Sequence, residues 1–190
     1  MILRTTGADI AEQAKTGNYV GIPYSRLDCQ AFVEQVLKDL GVRKEDGSPY
    51  NWKGSNSMYR NFIRWRGTLD ECRKKFGDIP KGAFLFIVKH DGGEVERGYH
   101  DDLGNASHVG LYLGTSPLPC MDSQGNRGVD YCDLSIFTHV GLMSMIDYYN
   151  EPISPKDKVL KAVHTIRDNG STDEDWLTAM KILVKELKGV

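Results

Sequence analysis

Several things are scarce in this 190-residue sequence, and each scarcity excludes something. Charge of one sign is not in excess: 24 Lys and Arg stand against 26 Asp and Glu, a formal net charge of -2, which gives no reason to expect nucleic-acid binding. No apolar run approaches membrane-spanning length. The N-terminal residues MILRTTGADIAEQAK lack a basic start followed by a long apolar stretch, so no secretory signal peptide is read. Synthesis in the cytoplasm is the corresponding expectation. Cysteines number only four: Cys29, Cys72, Cys120 and Cys132. None forms a C-x-x-C arrangement, so no structural zinc site and no other metal site is expected. A domain of this size needs no disulfide framework. Cys120 and Cys132 are placed to face each other across a hairpin and are read as reduced core residues. What remains is ordinary for a globular protein, with 40% hydrophobic and 26% charged residues.

The order of patterns implies an α+β architecture. The segment TTGADIAEQAKTGN reads as a short helix ending near Gly17. SRLDCQAFVEQVLKDLGV, residues 25–42, reads as a second helix with Asp28 as N-cap. Its apolar face is Phe32, Val33, Val36, Leu37 and Leu40, and Gly41 ends it. Residues 42–56 read as a long loop. NSMYRNFIRWRG is expected to be a further helix with Met58, Phe62 and Trp65 on one side. Strands are then expected at residues 83–88, at HVGLYLG, on both sides of the turn in CMDSQGNRGVDYC, and at about residues 140–148. Helices followed by clustered strands suggest helices packed on an antiparallel sheet, with residues 1–150 as the main domain. Residues 151–190 read as a C-terminal helical hairpin: Thr172 caps its second helix, and Trp176, Leu177, Met180, Leu183, Val184 and Leu187 form a stripe suited to core packing or to docking.

Cys29 is the residue that most needs explaining. It occupies the first turn of its helix, on the face that carries Phe32 and Val33. Helix-start amides and the macrodipole stabilise an anion, which suits a thiol nucleophile if a base faces it. The competing explanation is packing, since free cysteine is among the most buried residue types. The base is sought among His90, His100, His108, His139 and His164. His108 is favoured because it begins a strand and shares a face with Gly110, where a helix N-terminus has room to approach the sheet.

Three stretches in order, PYSRLDCQAFVEQVL, GDIPKGAFLFIV and SHVGLYLG, resemble the NlpC-type cysteine peptidases, a papain-like group acting on bacterial cell-wall peptides. The resemblance covers roughly residues 19–148. It implies a papain-like fold, Cys29 as nucleophile, His108 as base, and a third polar residue on the next strand that orients the imidazole. Asp122 is chosen for that role, with Gln124, of the same strand parity, as the alternative. The resemblance also gives Tyr24 an oxyanion role beside the Cys29 amide, and gives Asp28 a capping and substrate-amine role. The family usually has Ser-Gly after the cysteine. This chain has Gln30 and Ala31, so the specificity for a free peptide N-terminus that the serine supports is not carried over. The implied activity is hydrolysis of amide bonds in peptidoglycan stem peptides, without a metal or organic cofactor. The absence of a signal peptide resembles phage and prophage members, which reach the wall on a tail or at lysis; the C-terminal helices would then serve tail attachment or self-association. Other acyl transfer on the same residues, and a non-catalytic phage-tail module, are the competing readings.

Overall fold

The computed structural model describes residues 5–44, 46–90 and 101–148. The expected C-terminal hairpin lies outside these residues, as do His100 and His164. The described elements are α1 (Gly7–Thr16), α2 (Cys29–Asp39), α3 (Ser55–Arg60), β1 (Ile63–Thr68), α4 (Leu69–Phe76), β2 (Phe84–Lys89), β3 (Asn105–Tyr112), β4 (Cys120–Gln124), β5 (Gly128–Cys132), a 3-10 turn at Leu134–Ile136, and β6 (His139–Met143).

All six strands form one antiparallel sheet in the order β1-β6-β2-β3-β4-β5. Its centre is the continuous apolar strand β2, in which Phe84, Leu85 and Phe86 are fully buried. A strand buried on both faces carries such a run rather than an alternating one. The mixed α+β class with an antiparallel sheet is therefore as expected.

Helix starts follow local chemistry. α1 opens with a capping box, in which the Thr6 hydroxyl accepts from the Asp9 amide and the Asp9 carboxylate accepts from the Thr6 amide. α2 buries Phe32, Val33, Val36 and Leu37 and packs across β3 and β4. Tyr19 joins the two helices: its hydroxyl donates to Asp39 at 2.5 Å and accepts from Gln13 at 3.0 Å.

The expected helix over NSMYRNFIRWRG is a correction. Only Ser55–Arg60 is helical; Phe62 then adopts φ 66°, a left-handed conformation, and Ile63–Thr68 form strand β1. The spacing of Met58, Phe62 and Trp65 imitates a helical stripe. Pairing of Trp65 and Arg66 with Leu142 and Gly141 of β6 overrides it. α4 has no counterpart among the expected elements, although Thr68 and Glu71 form a second capping box at its start. The last strand is also shorter than residues 140–148. It ends at Met143, and the chain turns so that the buried Tyr148 hydroxyl accepts from the Met143 amide at 3.2 Å.

Candidate active site

Cys29 is the first residue of α2, and Asp28 is its N-cap in extended backbone conformation. Oδ1 of Asp28 accepts from the Ala31 amide at 2.8 Å. The preceding residue is fastened to the sheet, because the Ser123 hydroxyl donates to the Leu27 carbonyl at 2.5 Å. Ser123 adjoins Asp122 on β4, so this bond sets the helix start beside the strand that carries the carboxylate. Cys29 is buried, with 8% of its surface exposed.

His108 lies on β3. Its Nε2 meets Oδ2 of Asp122 at 2.7 Å, and Cys29 lies close enough to act on the imidazole's proton affinity, which leaves Nδ1 as the ring nitrogen for the thiol. Strand register explains the pairing. Gly110, two residues after His108, is the direct partner of Asp122 across β3 and β4, so both side chains project from the same face of the sheet. Burial works to lower the imidazole's proton affinity. The hydrogen bonds to Asp122 and Cys29, with their charges, outweigh it and raise the His108 pKa from 6.5 to about 9.

Asp122 is fully buried. Burial disfavours its charge, but the hydrogen bonds from His108 and Gln124, and the charges of His108 and Arg127, bring its pKa below the ordinary 3.8. Oδ2 accepts from Gln124 Nε2 at 2.9 Å, and Oδ1 accepts from Arg127 Nη2. Of the two candidates for a group that touches His108, Asp122 makes the contact, and Gln124 is bonded to Asp122.

The Tyr24 hydroxyl adjoins Cys29; burial, then the charge of Cys29, push its pKa up to about 12. The loop that carries Tyr24 is pinned to β5 by two backbone bonds, Gly21 amide to Val129 carbonyl and Val129 amide to Ile22 carbonyl, both 2.9 Å. Gly128 makes this possible: it has φ +70°, and a Cβ there would lie 2.2 Å from the Ile22 carbonyl oxygen.

Gly110 plays a different part from the one its position suggested. The room it leaves is taken by the Phe137 ring and the Asp122 Cβ, 2.7 and 3.0 Å from where a Cβ would stand. Phe137 stacks on the His108 imidazole with centroids 6.0 Å apart and planes 14° from parallel. Glycine therefore admits an aromatic wall for the imidazole rather than the helix end itself.

Three participants escaped the sequence reading. Phe137 is one, and Arg127 is another; an arginine in the turn of the hairpin that carries Asp122 was the available signal. Gln30 is the third. Its Nε2 donates to Glu34 Oε1 at 2.8 Å and to the Trp52 carbonyl at 2.6 Å, while its Oε1 accepts from the Gly54 amide at 2.6 Å. Glu34 Oε1 also accepts from the Trp52 amide at 2.7 Å. The residue after the cysteine thus fastens the 52–54 segment over the start of α2.

The other histidines and cysteines have different surroundings. His90 and His139 pack against each other with centroids 6.0 Å apart, and burial followed by the His90 charge lowers the His139 pKa. Cys120 and Cys132 are cross-strand partners on β4 and β5, both buried and free, and Cys72 is a buried free thiol as well. Among the described residues, no group of three or more His, Cys, Asp and Glu side chains is placed to hold a metal ion, and no helix is long and apolar enough to cross a membrane. No protein-family model, curated protein or solved structure matches the chain.

Proposed function

We propose that this chain is a papain-like cysteine peptidase of the NlpC type, which hydrolyses amide bonds in peptidoglycan stem peptides. The observation that carries the chemistry is the row Cys29–His108–Asp122, with the thiol at a helix start and the imidazole bonded to the carboxylate and adjoining the thiol. The wall-peptide substrate rests on the resemblance of the three ordered stretches alone.

The reaction follows from the residues. The Cys29 thiolate, beside the His108 imidazolium, attacks the scissile carbonyl carbon, and the C=O electron pair moves to oxygen. In this reading the Cys29 amide, one of the helix's first-turn donors, and the Tyr24 hydroxyl, which adjoins Cys29, stabilise that oxyanion. The C–N bond breaks as His108 Nδ1 delivers its proton to the leaving amine. Water then gives a proton to His108 and its oxygen to the thioester carbon. The carboxylic acid leaves, and Cys29 is regenerated as the thiolate partner of the imidazolium. Asp122 holds the ring throughout by Nε2. No cofactor enters this sequence.

Digestion of purified peptidoglycan, with mass spectrometry of the released fragments, tests the proposal. New peptide termini are expected with the wild type and absent with Cys29→Ala, and their masses name the bond. No release from several wall chemotypes, with Cys29 still alkylated much faster than Cys72, Cys120 and Cys132, would replace wall peptides with another acyl donor. A Cys29 no more reactive than the other three would favour a non-catalytic module.

A further inference from the structure

The geometry points to Arg127 as a positioning residue for His108, acting through Asp122: its guanidinium fixes Oδ1 and offsets the carboxylate's charge, so that Oδ2 orients the imidazole without gripping its proton. The inference rests on the reading of Cys29 and His108 as nucleophile and base, and is independent of the substrate.

Three observations carry it. Asp122 is fully buried, where an unpaired carboxylate is costly, and both its oxygens are engaged: Oδ2 by His108 and Gln124, Oδ1 by Arg127. Arg127 is fixed by the hairpin. It lies in the turn between β4 and β5, its amide donates to the Gln124 carbonyl at 3.2 Å, and its Nη1 reaches the Tyr131 carbonyl at 3.4 Å. Its side chain is a quarter exposed, so it closes the buried carboxylate from the rim. Finally, His108 lies between Cys29 and Asp122, with the Arg127 guanidinium beyond the carboxylate, so the proposed thiolate–imidazolium pair would give charges that alternate in sign along one row. Without the guanidinium, His108 stands between two anions and holds its proton harder. A general acid that holds its proton harder delivers it to the leaving amine less readily.

The neighbouring titratable groups do not replace Arg127. Tyr24 and Asp28 face the Cys29 end of the row. Asp130 is the cross-strand partner of Asp122 on β5, and the Cys132 thiol adjoins both Asp122 and Cys120. Phe137, on the other side of His108, has no charge. Each of these is neutral or anionic, and Arg127 supplies a permanent positive charge.

The test is an NMR titration of the histidine side chains in the full-length protein, with the His108 signals assigned by their loss in His108→Gln. Wild type is compared with Arg127→Met, Arg127→Gln and Arg127→Lys. Removing a nearby cation raises proton affinity, so the His108 midpoint is expected to move up by on the order of one pH unit in the Met and Gln variants. In the Lys variant, which keeps the charge, it is expected to stay close to wild type. Turnover on the substrate is expected to fall about tenfold through kcat, with Cys29 alkylation retained. An unchanged midpoint in the neutral variants would overturn the inference, as would a downward shift, or an equal shift in the Lys variant. The Gln variant decides the matter if the Met variant does not fold. A wild-type Cys29 that alkylates no faster than the other thiols would overturn the catalytic reading instead, and the titration would still settle what Arg127 does to His108.

Discussion

At the scale of single residues, the site is a row of partners in which each position has a separate task. Asp122 orients and Gln124 supports, so their variants should differ. Asp122→Asn keeps shape and burial but removes the charge. Turnover is expected to fall by at least about 100-fold with only a modest change in thermal midpoint, measured by parallel kinetics and calorimetry. Gln124→Leu removes one of several hydrogen bonds to the carboxylate and is expected to cost less than about tenfold. The reverse ranking would transfer the orienting role to Gln124. Asp122→Ala is a poorer probe, because it leaves His108 and Arg127 facing a cavity where their anion stood.

These residues were legible in the sequence to different degrees. Cys29 and Asp28 announce themselves, since a helix start has a local signature and a thiol there is out of place. His108 was favoured by the face it shares with Gly110, and Asp122 came only with the family resemblance, since Gln124 has the same strand parity. Arg127 left only the signal of an arginine in the hairpin turn and Phe137 left none, because their contacts depend on how a hairpin closes and on how the chain returns to β6. Gly110 was singled out for the right reason, close approach, but its neighbour is the Phe137 ring rather than the helix end.

At the scale of elements, the site is held by segments that are far apart in sequence. Gln30 fastens the 52–54 segment to α2 with two hydrogen bonds, to the Trp52 carbonyl and from the Gly54 amide. Gln30→Ala is expected to lower stability by about 1–3 kcal/mol and to expose that segment to limited proteolysis, read by mass spectrometry of the first cleavage products. Unchanged cleavage would mean that the aromatic contacts of Trp52 with Tyr50 and Phe84 suffice to hold the segment. Gly128→Ala attacks the opposite wall. It combines a left-handed backbone with a 2.2 Å clash against the Ile22 carbonyl. A cost on the order of 1–3 kcal/mol is expected, with a loss of activity exceeding what the stability change explains, because the Tyr24 loop must shift. Denaturation midpoints and kcat measured on one preparation separate the two effects. The misassigned helix after residue 60 belongs to this scale too. Local spacing there favoured one answer, and pairing with β6, which lies more than seventy residues further along the chain, imposed the other.

At the scale of the whole molecule, the row couples folding to pH. The folded-state value for His108, about 9, lies above the free value of 6.5, so protonation of this imidazole favours the folded state. Its contribution is present in full below about pH 6.5 and is lost as pH rises through about 9. Asp122 acts with the opposite sign: its folded value is depressed, so its contribution is present above 3.8 and is lost as pH falls below that. Urea midpoints for wild type are therefore expected to decline across the alkaline window, and the decline is expected to flatten in His108→Gln. An equal decline in the variant would assign the effect to other groups.

By itself, the sequence determined the α+β class, the cap and buried face of the helix that starts at Cys29, the central apolar strand, and the residue types able to do acyl-transfer chemistry. Those are local properties: periodicity, capping and the chemistry of single side chains are written within a few residues of one another. Only the tertiary structure decided the strand order, the conversion of residues 63–67 from expected helix to edge strand, the choice of Asp122 over Gln124 as the group touching His108, and the closing of that carboxylate by Arg127. Each of these is a choice among partners distant along the chain. Such a choice is made by which polar groups can all be satisfied at once when a buried carboxylate, an imidazole and a helix end are packed against one sheet.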